Sequence, residues 1–321
     1  MRSWHFNFFF LIVLAAASPA FAADDLRATF GSGVAGEVGD IPPGTDLQRH
    51  TVNQNAFPLA RCNDNSPAIF YFRPASDAAN AKRWIIHLQG GGSCGNGLNC
   101  SQRRFSAGTN FGVKNMTSVD FPAGTTDNGI FERSTPYAAR NLFARYNQVF
   151  VHYCSSDTWT GAAEDVVLTG LDFRHDPPIP RQYTISFLGR PIFDAVIETL
   201  RRNGVPPLVY LRPGGGSQVM PDLDNAEFVI LSGGSAGGGG VIHNLDHLRG
   251  ILPAATRLVG LSDSAFRPSK DGMDLSQSPL CVNQGACTVD AQNEWIFNQG
   301  PYAVWGAQNA SDRSCRLVPH Q

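Results

Sequence analysis

The chain has 321 residues and a formal net charge of −2, with 42% hydrophobic and only 16% charged residues, 33 glycines and 21 prolines. No long basic or acidic run interrupts it, which argues against a nucleic-acid or membrane-surface partner. Beyond the N-terminal segment no stretch holds 18 uninterrupted apolar residues, so no membrane span is expected, and the composition suits a loop-rich exported enzyme.

In chain order, Arg2 and His5 precede the apolar run Phe8–Ala17, and Ala20-Phe21-Ala22 follows with small residues where a signal peptidase reads. This predicts a secretory signal at 1–22, cleaved after Ala22, with a single domain over 23–321. Residues 23–60 read as a polar, loop-like lead-in. Strands are predicted at 68–72, at 84–88 running into Gly90-Gly91-Gly92, and at 148–153. Residues 93–146 read as irregular. Ile192, Val196, Ile197 and Leu200 fall at helical spacing, predicting a helix over 190–203 that Gly204 ends. Residues 206–216 read as a turn or insertion. The apolar run Phe228-Val229-Ile230 opens another strand, 236–249 reads as a helix, and 258–261 as a strand ending in Ser262-Asp263-Ser264. Strands alternating with helices predict an α/β fold with a mostly parallel sheet and helices on both faces.

Seven cysteines in an exported chain point to disulfides. Cys94/Cys100 and Cys281/Cys287 each close a short loop, Cys62 and Cys154 fall at two strands or their ends, and Cys315 is left over. With no C-x-x-C and no histidine pair at ligand spacing, a zinc site is not expected.

The chemistry is concentrated at Gly233-Gly234-Ser235-Ala236-Gly237, a G-x-S-x-G sequence between a predicted strand and a predicted helix. In that context it is a nucleophile elbow, which makes Ser235 the candidate nucleophile for acyl transfer. Such a site needs N–H donors for the developing oxyanion, from the residue after the nucleophile, Ala236, and from a glycine-rich loop after an earlier strand, Gly90-Gly91-Gly92. The base is harder to find. His243 and His247 lie eight and twelve residues along the helix, roughly 12 and 18 Å from the elbow at about 1.5 Å per residue, and read as packing or surface residues. His320 is penultimate. His87 and His152 read as buried strand residues. Asp157, Trp159 and Asp263 stand at strand ends, where this architecture places functional groups, and are candidate pocket residues.

Taken together, these pieces resemble the pectin acetylesterase/Notum family. The segments are Cys62-Asn63-Asp64-Asn65-Ser66-Pro67, Leu88-Gln89-Gly90-Gly91-Gly92-Ser93-Cys94 with Asn99-Cys100, Tyr153 through Gly161, Ser235-Ala236-Gly237-Gly238 with Asn244 and Asp246, Leu261 through Ser264, and the Cys281/Cys287 pair. The resemblance implies an α/β-hydrolase-like serine carboxylesterase without cofactor, with Ser235 as nucleophile and Gly91, Gly92 and Ala236 as oxyanion donors. It implies an ester substrate: an acetylated, pectin-type polysaccharide, with a lipid-type acyl ester as the alternative. The chain departs from the family at Gly92-Ser93, where an aromatic is usual, and at 206–216. The resemblance also puts the triad Asp and His, and a partner for Cys315, beyond Gln321. A serine triad without its histidine loses on the order of 10⁶ in kcat, so a chain limited to these residues is expected to have little activity and an uncovered sheet edge.

Overall fold

The structure, a computed structural model, describes residues 12–14, 47–105, 112–119, 121, 124–125, 129–133, 141–212, 215–265 and 273–307. Its centre is an eight-stranded sheet. The strands are β1 (Ile12–Leu14), β2 (Leu47–Thr51), β3 (Ile69–Arg73), β4 (Arg83–Leu88), β5 (Gly124–Thr125), β6 (Asn147–Val151), β11 (Phe228–Gly234) and β12 (Arg257–Asp263). Their spatial order is β1-β12-β11-β4-β6-β3-β2-β5. The inner strands β12, β11, β4 and β6 are parallel, and antiparallel strands flank them on both sides. The strands predicted near 68, 84, 148, 228 and 258 are all present within one or two residues. β2 falls in the stretch read as a loop-like lead-in.

Side-chain alternation divides the sheet into two faces. Trp84, Ile86 and Leu88 of β4 face one way, with Phe70, Phe72, Val149, Val151, Val229 and Leu231. Two helices cover that face: α2 (Gly189–Leu200), through Ile192, Phe193, Val196, Ile197 and Leu200, and α3 (Ala236–Ile251), through Val241, Leu245 and Leu248. On the other face, Ile85, Ile230, Val259 and Tyr71 meet Phe131 and Tyr146, with Phe121, Ile130 and Phe143 packed around them. Among the described residues that second layer is built of aromatic loop residues rather than α-helix.

Three further features lie outside the sheet. Within the stretch read as irregular, Gly97–Phe105 forms a helix, α1. Strands β7 (Ala163–Asp172) and β8 (Ile179–Phe187) form a long antiparallel ribbon that packs on α1, with the Tyr183 hydroxyl donating to the Gly97 carbonyl at 2.6 Å. The 206–216 segment forms most of a hairpin of β9 (Val209–Leu211) and β10 (Ser217–Val219), which Gln48 of β2 grips through both backbone groups of Leu211. Short helices α4 (Pro279–Gln284), α5 (Val289–Asn298) and α6 (Pro301–Val304) follow β12.

Disulfides join Cys62 to Cys154, Cys94 to Cys100 and Cys281 to Cys287, the three expected pairs. Cys315 and His320 lie outside the described residues, as does the predicted signal segment apart from Ile12–Leu14, which pairs antiparallel with β12. No described helix is long and apolar enough to cross a membrane.

Candidate active site

Strand β11 ends at Gly234 and α3 begins at Ala236, leaving Ser235 alone at the corner. Its backbone takes φ 53° and ψ −119°, a conformation an L-residue adopts only when its surroundings enforce it, at a cost of about 1–3 kcal/mol. Two hydrogen bonds do the enforcing: Ser235 N–H donates to the Asp263 carbonyl at 2.9 Å, and Gly239 N–H donates to the Ser235 carbonyl at 3.0 Å. The side chain is exposed at the tip of the corner.

The glycines around it are explained by crowding. A Cβ on Gly237 would fall 1.9 Å from the Leu88 carbonyl oxygen, and one on Gly90 would fall 2.4 Å from the Gly234 oxygen and 3.2 Å from the Ser235 Cβ. The end of β4 and the loop after it are therefore pressed directly onto the elbow. The four consecutive glycines 237–240 forgo roughly 3–4 kcal/mol of helix propensity relative to alanine; a Cβ would meet Leu88 at Gly237, Asp263 at Gly238, Thr158 at Gly239 and Trp159 at Gly240, so close packing of α3 on all sides requires them.

The loop Gly90-Gly91-Gly92 runs beside Ser235, with Gly91 at φ 149° and Gly92 at φ 67°. Among the described residues no acceptor takes the N–H of Gly91, Gly92 or Ala236; Ala236, at the first position of α3, has no intrahelical acceptor by construction. The loop is anchored through Gln89. Its N–H donates to the Val151 carbonyl at 3.1 Å, its Oε1 accepts from Tyr153 N–H at 2.9 Å, and its carbonyl accepts from the Trp159 indole at 3.1 Å.

The candidate pocket residues fare differently. Asp263 is exposed at the end of β12, its backbone bonded to Ser235, so it does border the elbow. Asp157 and Trp159 do not line an open pocket, contrary to the sequence reading; both are fully buried beneath it. Asp157 Oδ1 accepts from the Ser155 hydroxyl at 2.7 Å and Trp159 N–H at 3.0 Å, and Oδ2 from Gly161 N–H at 3.1 Å and Gly189 N–H at 2.7 Å. Burial pushes its pKa up to about 6, with these four bonds pulling the other way. It ties the loop after β6 to the start of α2. Trp159 wedges between Gln89 and the surface left by Gly240, where a Cβ would meet the indole at 2.5 Å. Both residues brace the floor of the site.

No histidine among the described residues bonds the Ser235 hydroxyl. His243 faces the Tyr302 hydroxyl at 3.0 Å and His247 faces Asp194 at 2.7 Å, in keeping with packing and surface roles. His87 lies 2.9 Å from the Ser232 hydroxyl, and burial drives its pKa down to about 4, slightly opposed by the Asp263 charge. His152 is enclosed between the Gln89 amide oxygen at 2.9 Å and the Thr117 carbonyl at 2.8 Å, and burial again drives the pKa to about 4. Among the described residues no three His, Cys, Asp or Glu side chains converge as metal ligands would. Sequence reasoning missed two residues at the loop: Asn115, whose Nδ2 lies 2.6 Å from where a Gly91 Cβ would be, and Arg103, beside Gly92. Neither sits in a recognisable motif; only the Cys94–Cys100 staple hinted that α1 belongs to the site.

A mixed sheet with a parallel centre and helices packed on it, carrying a strand–serine–helix corner at the carboxyl end of a central strand, fits the α/β-hydrolase-like class. Within that class the chain belongs to the pectinacetylesterase family, whose family model matches residues 43–207 and 217–293 and omits most of the β9–β10 hairpin. The palmitoleoyl-protein carboxylesterase notum1a of Danio rerio is 31% identical over 225 residues, which are 69% of this chain and 36% of that protein. The palmitoleoyl-protein carboxylesterase NOTUM of Homo sapiens is 29% identical over 228 residues, with the same two shares of 69% and 36%. The NOTUM of Drosophila melanogaster is 31% identical over 245 residues, 74% of this chain and 30% of that protein. The chain thus spans about a third of the length of the curated relatives it matches.

Proposed function

We propose that this protein is an exported serine carboxylesterase that removes acyl groups, acetyl above all, from a pectin-type polysaccharide. The observation that carries the reading is the exposed, strained Ser235 with the Gly90-Gly91-Gly92 loop packed against it. As the general base takes its hydroxyl proton, Ser235 Oγ attacks the acyl carbon, and the carbonyl π electron pair moves onto oxygen. The N–H groups of Gly91, Gly92 and Ala236 hold that oxyanion, a loss of one such donor costing on the order of 10²–10³ in rate. Collapse expels the sugar alcohol with a proton from the general base, and water then releases the acid from the acyl-enzyme. No cofactor takes part. Turnover requires a histidine with its carboxylate partner, and these come from outside the described residues. Asp263 borders the entrance and contacts the polar substrate.

A fluorophosphonate probe on the protein as its gene encodes it tests the nucleophile. Labelling at Ser235, lost in Ser235→Ala, is expected; an unlabelled wild type would refute the reading. The names of the relatives favour a second reading, deacylation of a longer chain. Comparing p-nitrophenyl acetate with the octanoate ester decides between them: a higher kcat/KM on octanoate transfers the assignment to lipid-type esters. An N-terminus at Ala23 on secreted protein is the expected mark of export.

A further inference from the structure

Arg103 lies on α1, one helical turn after Cys100, and is only 6% exposed. Its Nε and Nη2 are buried without a hydrogen-bond partner, and it forms no ion pair among the described residues. Its Nη1 sits 3.4 Å from the position a Cβ would occupy on Gly92. A guanidinium keeps its charge inside a protein, so α1 holds a fixed positive charge, with no ion-pair partner among the described residues, directly against the oxyanion loop. For stability alone this is a bad choice: an apolar side chain of similar size is often as good or better at such a position. The Cys94–Cys100 disulfide spans the turn between the loop and α1, and the Trp305 indole donates to the Cys94 carbonyl at 2.7 Å, so the charge cannot drift from the loop without disturbing both.

What such a charge can do follows from where negative charge appears. Because the guanidinium itself is buried, its field is screened less than that of a surface charge, and it acts most strongly on a group that becomes an anion during the reaction. We infer that Arg103 is a positioning residue for the oxyanion, its buried charge acting through the Gly91–Gly92 loop to strengthen that loop's hold on the negative oxygen formed when Ser235 attacks. The inference rests on the esterase reading and adds to it: the oxyanion site is supported by a full charge as well as by backbone dipoles.

The test compares wild type, Arg103→Met and Arg103→Lys in the protein as its gene encodes it. It measures the rate of fluorophosphonate labelling at Ser235, kcat and KM on p-nitrophenyl acetate, and thermal unfolding. Arg103→Met is expected to slow labelling and kcat by roughly 10- to 100-fold, with KM little changed and the melting temperature not lowered. Arg103→Lys is expected to recover most of the loss. Wild-type labelling with an equal rate in Arg103→Met overturns this inference and leaves the esterase standing. Slow labelling in both variants with a lowered melting temperature, or an Arg103→Met that does not fold, assigns Arg103 a structural role and overturns it too. A wild type that is not labelled at all removes the esterase reading, and this inference with it.

Discussion

The glycines of α3 allow one substitution to be tested in two places on the same helix. Gly237 stands in its first turn, where a new Cβ would fall 1.9 Å from the Leu88 carbonyl oxygen and 3.0 Å from the Gln89 carbonyl carbon. Gly250 stands in its last turn, with nothing within 4 Å. Alanine in place of glycine is favourable in a helix by about 0.8–1.0 kcal/mol, so Gly250→Ala is expected to stabilise the protein by about 0.5–1 kcal/mol. At Gly237 the same gain is opposed by a clash with backbone atoms, which cannot swing aside as a side chain does. Overpacking of this kind costs typically 1–3 kcal/mol and sometimes more, and ordinary contact here begins at 3.4 Å. The end of β4 would have to retreat, carrying Gln89 and Gly90 with it. Gly237→Ala is therefore expected to lose about 1–2 kcal/mol net and to slow labelling of Ser235, because the loop that retreats is the proposed oxyanion loop. Urea unfolding gives both stabilities, read from the midpoint at constant slope. Two variants shifted in the same direction, or a Gly237→Ala labelled at the wild-type rate, would refute the idea that close approach of α3 to β4 explains Gly237.

Ser235→Gly should raise stability by about 1 kcal/mol, since glycine adopts the corner without strain while loosening the unfolded chain, and it should abolish labelling; a destabilised variant would show that the φ of 53° carries no strain. Cys62–Cys154 closes a sequence separation of 92 residues and Cys94–Cys100 one of only 6. Replacing the first pair by alanine should cost about 4–5 kcal/mol and the second about 2 kcal/mol in unfolding experiments; equal losses would argue against a chain-entropy origin. Burial lowers the pKa of His50, His87 and His152 from 6.5 to about 4. These groups are neutral in the fold where the unfolded chain is protonated, so their contribution is full above 6.5 and is lost as pH falls towards 4. Asp157, with its pKa raised to about 6, acts with the opposite sign in the same window. Three groups outweigh one, and the unfolding midpoint should fall between pH 6.5 and 4; a flat profile would contradict the neutral, buried histidines.

The elements readable in the sequence were those whose signal is local. The runs at Ile69–Arg73, Arg83–Leu88 and Phe228–Gly234 are almost continuously apolar because strands packed on both faces have little exposed side. The elbow is legible because a serine forced into a crowded corner admits only small neighbours, and the two six-residue cysteine spacings leave little freedom of pairing. β2 and the β7–β8 ribbon escaped because each is half exposed and draws its definition from a partner strand. The site divides in the same way. That Ser235 stands at a strand–helix corner, and that Gly90-Gly91-Gly92 follows a strand, was determined by the sequence alone, since backbone geometry there restricts the residue type. Only the tertiary structure decided that Asp157 and Trp159 lie under the floor, because their partners, Gly189, Gln89 and Gly240, come from distant segments. Only it placed Arg103 against Gly92, because a helix face has no direction until the disulfide and the ribbon have oriented it.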